Sequence, residues 1–326
     1  MKNNRRPSNY LSFFLRQLVQ VCAPILSLWE RRYLKKYGAQ PLKHQPIFII
    51  GAPRTGSTIL YQTLTNRFDV LYIDNLVATF FRNIFFGFWL SNKLFKQRAH
   101  NCFKSQHGNT SKYGFRAPSE CGAFWYRWLP RDRHFIDHDD VTEQMVQEIR
   151  KELTAVTNFF DKPVVINNNN IALRIRLIKK AFPEARYIIA DRAPFLVAKS
   201  LLAGRQKVFG SYKAWWSIMP PNYSELLTKP YLEQVVLQHY YINKQMFADL
   251  SKLVSPSHWM VVNYSNFCTD QEVILKQLHA LCHKVSLRVS YHQNKLTRSS
   301  GSQLERNVEI KLHEIINNLD WHDYSS

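Results

Sequence analysis

Short runs of β-branched and aromatic residues recur along the chain at residues 47–50, 70–73, 164–166, 186–190 and 259–262. Each neighbours a longer stretch with helical periodicity, at 58–68, 171–182, 195–202, 231–253 and 271–282. The strand runs are continuously apolar and do not alternate, which is the pattern of strands buried on both faces. Strands of this kind interleaved with helices predict a parallel sheet between two helical layers, a three-layer α/β/α domain over residues 45–326. Residues 1–44 read as a basic and apolar helical extension. Two stretches break the rhythm. Residues 75–95 are dense in large aromatics, with Arg82 and Lys93 as the charges, and read as a long core helix, as the wall or lid of an apolar acceptor site, or as a membrane contact. Residues 205–228, rich in Pro, Trp and Tyr, read as a substrate-side loop.

Composition fits this picture: of 326 residues, 45% are hydrophobic and 21% charged, a globular mixture that excludes disordered and fibrous classes. Net charge is +20, from 44 basic and 24 acidic side chains, and calls for an anionic counterpart. Apart from short clusters the basic residues are spread along the chain instead of forming the block of a nucleic-acid arm. Charge alone leaves nucleic acid, acidic lipid headgroups and a multiply charged small ligand open; once the motifs of the chain are placed, no nucleic-acid partner is needed. Five cysteines without a C-x-x-C pair favour a reducing compartment, hence a cytoplasmic protein, and no structural zinc. The apolar stretch 10–29 contains Arg16 and its charge-free part is shorter than a membrane span. It predicts a helix packed on the domain or lying at a membrane surface through residues 1–40.

Candidate chemistry begins directly after the first strand. Gly51-Ala52-Pro53-Arg54-Thr55-Gly56-Ser57-Thr58 joins a strand to an amphipathic helix through a tight glycine turn. Such a junction turns backbone N–H groups and the positive end of a helix dipole toward one point, a cradle for a phosphate. The glycine spacing is that of a nucleoside-triphosphatase loop, but Ser57 stands where that loop requires Lys, and Arg54 lies inside the turn. A kinase or nucleoside-triphosphatase reading, the runner-up, thereby loses its main support. A non-catalytic basic protein of membranes or nucleic acid is the third reading.

Further along, Phe182-Pro183-Glu184-Ala185-Arg186 leads through a strand to Arg192-Ala193-Pro194, with Ser200 eight residues after Arg192. Together and in this order, the two segments resemble the nucleotide-binding motifs of the sulfotransferases that use 3′-phosphoadenosine 5′-phosphosulfate, in the form seen in carbohydrate and bacterial branches. The resemblance runs from about residue 45 to about residue 305. It implies a phosphate-loop sulfotransferase fold, that nucleotide as sulfuryl donor, adenosine 3′,5′-bisphosphate as product, no metal, and a hydroxyl-bearing carbohydrate, lipid or small-metabolite acceptor. By the same resemblance Pro53, Arg54, Thr55, Gly56, Ser57 and Thr58 hold the 5′ side, Arg192 and Ser200 the 3′-phosphate. Arg298, Ser300 and Gly301 belong to a small-residue basic loop that folds over the nucleotide. Arg54 also carries the electrostatic role at the leaving oxygen. Two places depart from the family pattern: Ser265 replaces a Glu after the last strand, and four asparagines, Asn167 to Asn170, stand where a basic segment is usual.

Sulfuryl transfer also needs a base for the acceptor hydroxyl. Glu120, before an apolar aromatic segment, resembles the acidic residue of one branch of the family, and burial there would raise its pKa toward neutrality. The alternatives are His107, in a polar loop, and His134, which with His138 sits in what reads as a solvated charge run. An N-terminal helix carboxylate paired with Arg116 is the structural alternative for Glu120.

Overall fold

A computed structural model describes residues 7–282, 285–294, 296 and 304–321. In chain order the helices are α1 (Pro7–Tyr37), α2 (Ser57–Arg67), α3 (Asn75–Thr79), α4 (Ile84–Phe95), α5 (Gly122–Trp125), α6 (Glu143–Phe160), α7 (Ile175–Ala181), α8 (Pro194–Phe209), α9 (Tyr223–Leu226), α10 (Tyr231–Leu253), α11 (Tyr264–Thr269), α12 (Gln271–Leu281) and α13 (Arg306–Asn317). Among the described residues five strands, β1 (Ile47–Ile50), β2 (Leu71–Tyr72), β3 (Val164–Asn167), β4 (Arg186–Asp191) and β5 (Trp259–Asn263), form one parallel sheet in the order β2-β3-β1-β4-β5.

The continuous apolar strands are explained by the layers on either side. Phe48 and Ile50 of β1, with Ile166, Tyr187 and Ile189, feed a core shared with α6, α7 and α10. Ile47 and Ile49, with Val165, Ile188 and Ala190, feed a second core shared with α2 and α12. Successive side chains point to opposite faces, so both sets must be apolar when both faces are covered.

β1 is the centre of the sheet: Ile47 pairs with Val165 on one side and Arg186 on the other, and Ile50 with Ile189. The chain leaves β1 toward one edge of the sheet and leaves β4 toward the other. At such a switch point the carboxyl ends of neighbouring strands open a crevice. The loop from Gly51 and the turn at Arg192 both start there.

Several elements differ from the pattern read along the chain. The strand expected at 70–73 shortens to two residues. The helix expected at 171–182 divides into a 3-10 turn, Asn169–Leu173, and α7, because the Asn168 side chain caps the turn by accepting from the Asn170 N–H, and Arg174 breaks the helical path. The aromatic stretch 75–95 is two helices: Asp74 caps α3 by accepting from the Val77 N–H, and the chain turns at residues 80–83 before α4. α6 was not expected, although Val146, Ile149, Leu153 and Val156 recur at helical spacing on its buried side.

The C-terminal half of α1 packs on α4 and α6. Trp29 meets Phe86 and Trp89 edge-on, and Tyr33 stacks on Phe85. Glu30 is buried between them, accepting from the Phe86 N–H at 2.7 Å and from Asn83 Nδ2 at 3.0 Å. Burial pushes the Glu30 pKa up to about 7.

Candidate active site

The loop after β1 is shaped by three left-handed or glycine-only positions. Gly51 has φ 152°, and a Cβ there would lie 2.5 Å from the Ala190 carbonyl oxygen of β4. Gly56 has φ 94°, and a Cβ there would lie 2.5 Å from the Tyr264 ring. No other residue type fits either place without displacing backbone or ring. Between them Arg54 takes φ 74°, a strained conformation for a residue with a side chain. α2 then starts at Ser57 with no acidic residue in its first turn, leaving the positive dipole end uncompensated by a carboxylate of its own. Thr55 supports the turn from inside, donating from Oγ1 to the Ala52 carbonyl at 2.8 Å.

Arg54 and the β4 turn meet directly. Arg54 Nε donates to Ser200 Oγ of α8 at 2.9 Å, and Arg192 Nη1 donates to the Arg54 carbonyl at 3.3 Å. Arg54 also lies over the Trp216 ring and Arg192 over Tyr264, at 5.6 and 4.6 Å from the ring centroids. Burial and the neighbouring Arg192 charge lower the Arg54 pKa, with Glu120 opposing. Burial likewise lowers that of Arg192. Two desolvated guanidiniums converging beside a helix N-terminus repel each other, and an anion relieves that repulsion. The residues therefore fit a polyphosphate-like ligand.

Pro53, Arg54, Gly56, Ser57, Thr58, His107, Glu120, Arg192 and Ser200 all line one cavity of about 1250 Å³. This is larger than a site for one small molecule usually is, and has room for two reactants. Glu120 stands beside Thr58 across Gly108: a Cβ on Gly108 would lie 3.3 Å from Thr58 Oγ1 and 3.4 Å from Glu120 Oε1. Although the residue as a whole keeps some exposure, its carboxyl is desolvated, and burial pushes the pKa up to about 7 against the attraction of Arg54. His107 (φ 53°) faces Trp216 edge-on, and its Nε2 is buried without a hydrogen-bond partner. Burial, Arg54 and Lys207 lower its pKa, so its ring is neutral at neutral pH.

The remaining expectations divide. His134 does not read as part of a charge run: it is buried, its Nδ1 accepts from the Met219 N–H at 3.1 Å, and burial pushes its pKa down to about 4. Nor is Arg116 the partner of Glu120, since its guanidinium lies over Phe95. Arg298, Ser300 and Gly301 lie outside the described residues. Two cavity residues, Asn169 and Tyr264, were not among the candidates, and Trp216 was expected only as part of the substrate-side loop. Asn169 accepts from Ser57 Oγ at 2.9 Å, Tyr264 covers Gly56, and Trp216 covers Arg54. The asparagine run holds the site together: Asn168 Nδ2 donates to the Glu120 carbonyl and Asn170 Nδ2 to the Tyr126 hydroxyl. The run was visible in the sequence; its contacts were not.

Away from the phosphate loop the lining changes character. Leu76, Phe80, Phe81, Leu90, Leu94 and Phe95, from α3, α4 and the turn joining them, make an apolar wall, and Val19 of α1 joins it. The aromatic stretch thus divides its residues between core and cavity.

A family model described as the sulfotransferase family matches residues 46–284. Among solved structures, sulfotransferase STF1 from Mycobacterium tuberculosis H37Rv aligns over 94% of this chain and 85% of its own, with 16% identity and a TM-score of 0.50. Sulfotransferase STF9 from Mycobacterium avium aligns over 90% of this chain and 73% of its own, with 14% identity and a TM-score of 0.48. No curated protein matches the chain in sequence. With the phosphate loop, the β4 turn and the parallel sheet in place, the match over most of its length shows that the chain belongs to the sulfotransferase family.

Proposed function

We propose that this protein transfers the sulfuryl group of 3′-phosphoadenosine 5′-phosphosulfate to a hydroxyl of an acceptor with a large apolar body. One observation carries the reading: a single cavity is lined at one part by two converging guanidiniums and a helix N-terminus, and elsewhere by an aromatic and aliphatic wall, with Glu120 and His107 among its polar residues. The nucleotide supplies a sulfuryl group activated by its bond to a phosphate. Gly56, Ser57 and Thr58 offer N–H and hydroxyl donors to the 5′-phosphate, with Pro53 and Thr55 shaping the turn. Arg192 and Ser200 receive the 3′-phosphate, and Arg298, Ser300 and Gly301 are assigned to the nucleotide on the motif resemblance. Arg54 places its charge on the oxygen that leaves as the S–O bond breaks.

Glu120 is assigned as the base. Its carboxylate takes the proton of the acceptor hydroxyl as the new O–S bond forms, and a pKa near 7 matches it to that task at neutral pH. His107, the alternative, is a weaker base because its pKa is depressed. Its buried Nε2 is suited to fix the acceptor hydroxyl by a hydrogen bond.

A radiolabelled transfer assay from this nucleotide over hydroxyl acceptors of graded apolar size tests the reading. Transfer to long-chain or polycyclic alcohols is expected, with little to simple sugars. Arg54→Ala and Ser200→Ala should each lower transfer by at least 100-fold while the melting temperature is kept. Wild-type turnover in both, or transfer confined to sugars, would overturn it.

A further inference from the structure

The exterior of α1 is inverted relative to an ordinary surface helix. Ala23, Ser27 and Glu30 share the face turned to the domain, where Ala23 and Glu30 are buried and Asn83 Nδ2 donates to Ser27 Oγ. At 100° per residue, the opposite face carries Val21, Ile25 and Leu28, exposed by 74%, 70% and 64%. The same face continues into Arg32, Lys35 and Lys36, all exposed. A carboxyl group points inward and three aliphatic side chains point to solvent, an exposure that costs free energy unless something apolar covers them.

Charge says what that something is. Residues 1–119 hold 18 basic and 3 acidic side chains, so +15 of the +20 lies in the first 119 residues, against the even spread that the sequence suggested. Between Asp74 and Glu120 there is no acidic residue, while Arg82, Lys93, Lys96, Arg98, Lys104, Lys112 and Arg116 fall there. The elements that build the apolar wall are therefore also the basic part of the chain. Leu94 and Phe115 line the cavity yet are more than half exposed, so its apolar lining reaches the surface. Val19 ties α1 to the same rim.

We propose that α1 is an interfacial anchor that docks this face on an anionic lipid bilayer, with Val21, Ile25 and Leu28 entering the acyl boundary and Arg32, Lys35 and Lys36 meeting acidic headgroups. No described helix is long and apolar enough to cross a membrane, in keeping with a helix that lies in the interface plane. The cavity rim would then open toward the bilayer, so the apolar acceptor is delivered from the lipid phase. That last clause rests on the sulfuryl-transfer reading; the docking itself does not.

Vesicle sedimentation of the full chain tests it, using phosphatidylcholine vesicles with and without 30% phosphatidylserine at 50 and 300 mM salt. Wild type should partition at least about 100-fold more to the anionic vesicles, less so at high salt. The triple variant Val21→Asn, Ile25→Asn, Leu28→Asn should lose binding at both salt levels. Arg32→Gln, Lys35→Gln, Lys36→Gln should lose about 100-fold on anionic vesicles, at about 1 kcal/mol per cation, and lose most of the salt dependence. Both variants should keep the wild-type melting temperature and the wild-type rate on a water-soluble alcohol. Vesicle binding unchanged in the apolar triple overturns the anchor. So does a wild-type dimer in sedimentation velocity that the apolar triple dissociates, since a second copy then covers the stripe. Loss of transfer activity with vesicle binding intact would overturn the sulfuryl reading and leave the anchor standing.

Discussion

At the scale of single residues, two groups in one cavity are moved in opposite senses by the same surroundings. Burial raises the Glu120 pKa to about 7 and lowers that of His107. The pH dependence of kcat/KM therefore tells them apart. With Glu120 as base, the rate rises about tenfold per pH unit up to about 7 and levels off above it, because the carboxyl must be ionised to accept a proton. With His107 as base, the limb lies below 6.5. Glu120→Gln should lower kcat by about 10² to 10⁴ and remove the limb near 7; a limb that persists there in the variant excludes this role. Arg54, Arg192 and Ser200 were readable as candidates because each sits in a short motif whose order along the chain is informative by itself. Asn169 and Tyr264 were not. They reach Ser57 and Gly56 from more than 110 and 200 residues away, and only the parallel sheet brings those ends together.

At the scale of elements, legibility followed burial. β1, β3 and β4 were readable because a strand covered on both faces cannot hide its composition, and β5, at the edge with Val261 exposed, was readable from its apolar run alone. The division of residues 75–95 into two helices was less so, since aromatic residues serve a core and a cavity wall alike, and the break depends on Asp74 and Asn83 capping and tethering the ends. The joint between α1 and α4 is the weakest in this respect, as it rests on a carboxylate in an apolar setting. Glu30 is held protonated by burial up to about pH 7 in the folded chain, but ionises near 4.5 when unfolded. Between those values the folded state binds the extra proton, so Glu30 lowers stability as pH rises from about 4.5 to about 7, by up to roughly 3 kcal/mol. His100, His134 and His239, buried with depressed pKa values, act in the other direction as pH falls below 6.5. The profile of the whole chain thus masks Glu30, and a difference measurement isolates it. The melting temperature of Glu30→Gln relative to wild type should climb from pH 5 to pH 7.5 and then stay level. A difference independent of pH would show that the carboxyl ionises normally in the fold.

For the whole molecule, the decisive feature is that the candidate nucleotide residues come from separate parts of one sheet: the loop after β1, the turn after β4, α8, and Tyr264 after β5. A ligand that bridges them cannot remain bound when any of these elements leaves the sheet, so its binding free energy adds to global stability. At a concentration 100-fold above Kd the gain is about 2.7 kcal/mol, which appears as a rise of several degrees in melting temperature. Adenosine 3′,5′-bisphosphate should produce this rise and Mg·ATP should not, because Ser57 occupies the position where a triphosphate loop carries its lysine. Arg192 and Ser200 refine the expectation. If they receive the 3′-phosphate, wild type should respond to the bisphosphate more strongly than to adenosine 5′-monophosphate, and Arg192→Ala and Ser200→Ala should erase that preference while responding to the monophosphate as wild type does. An equal response to both nucleotides in wild type would remove the 3′-phosphate from the β4 edge. A response to Mg·ATP alone would replace the donor altogether and reassign the loop to phosphoryl chemistry.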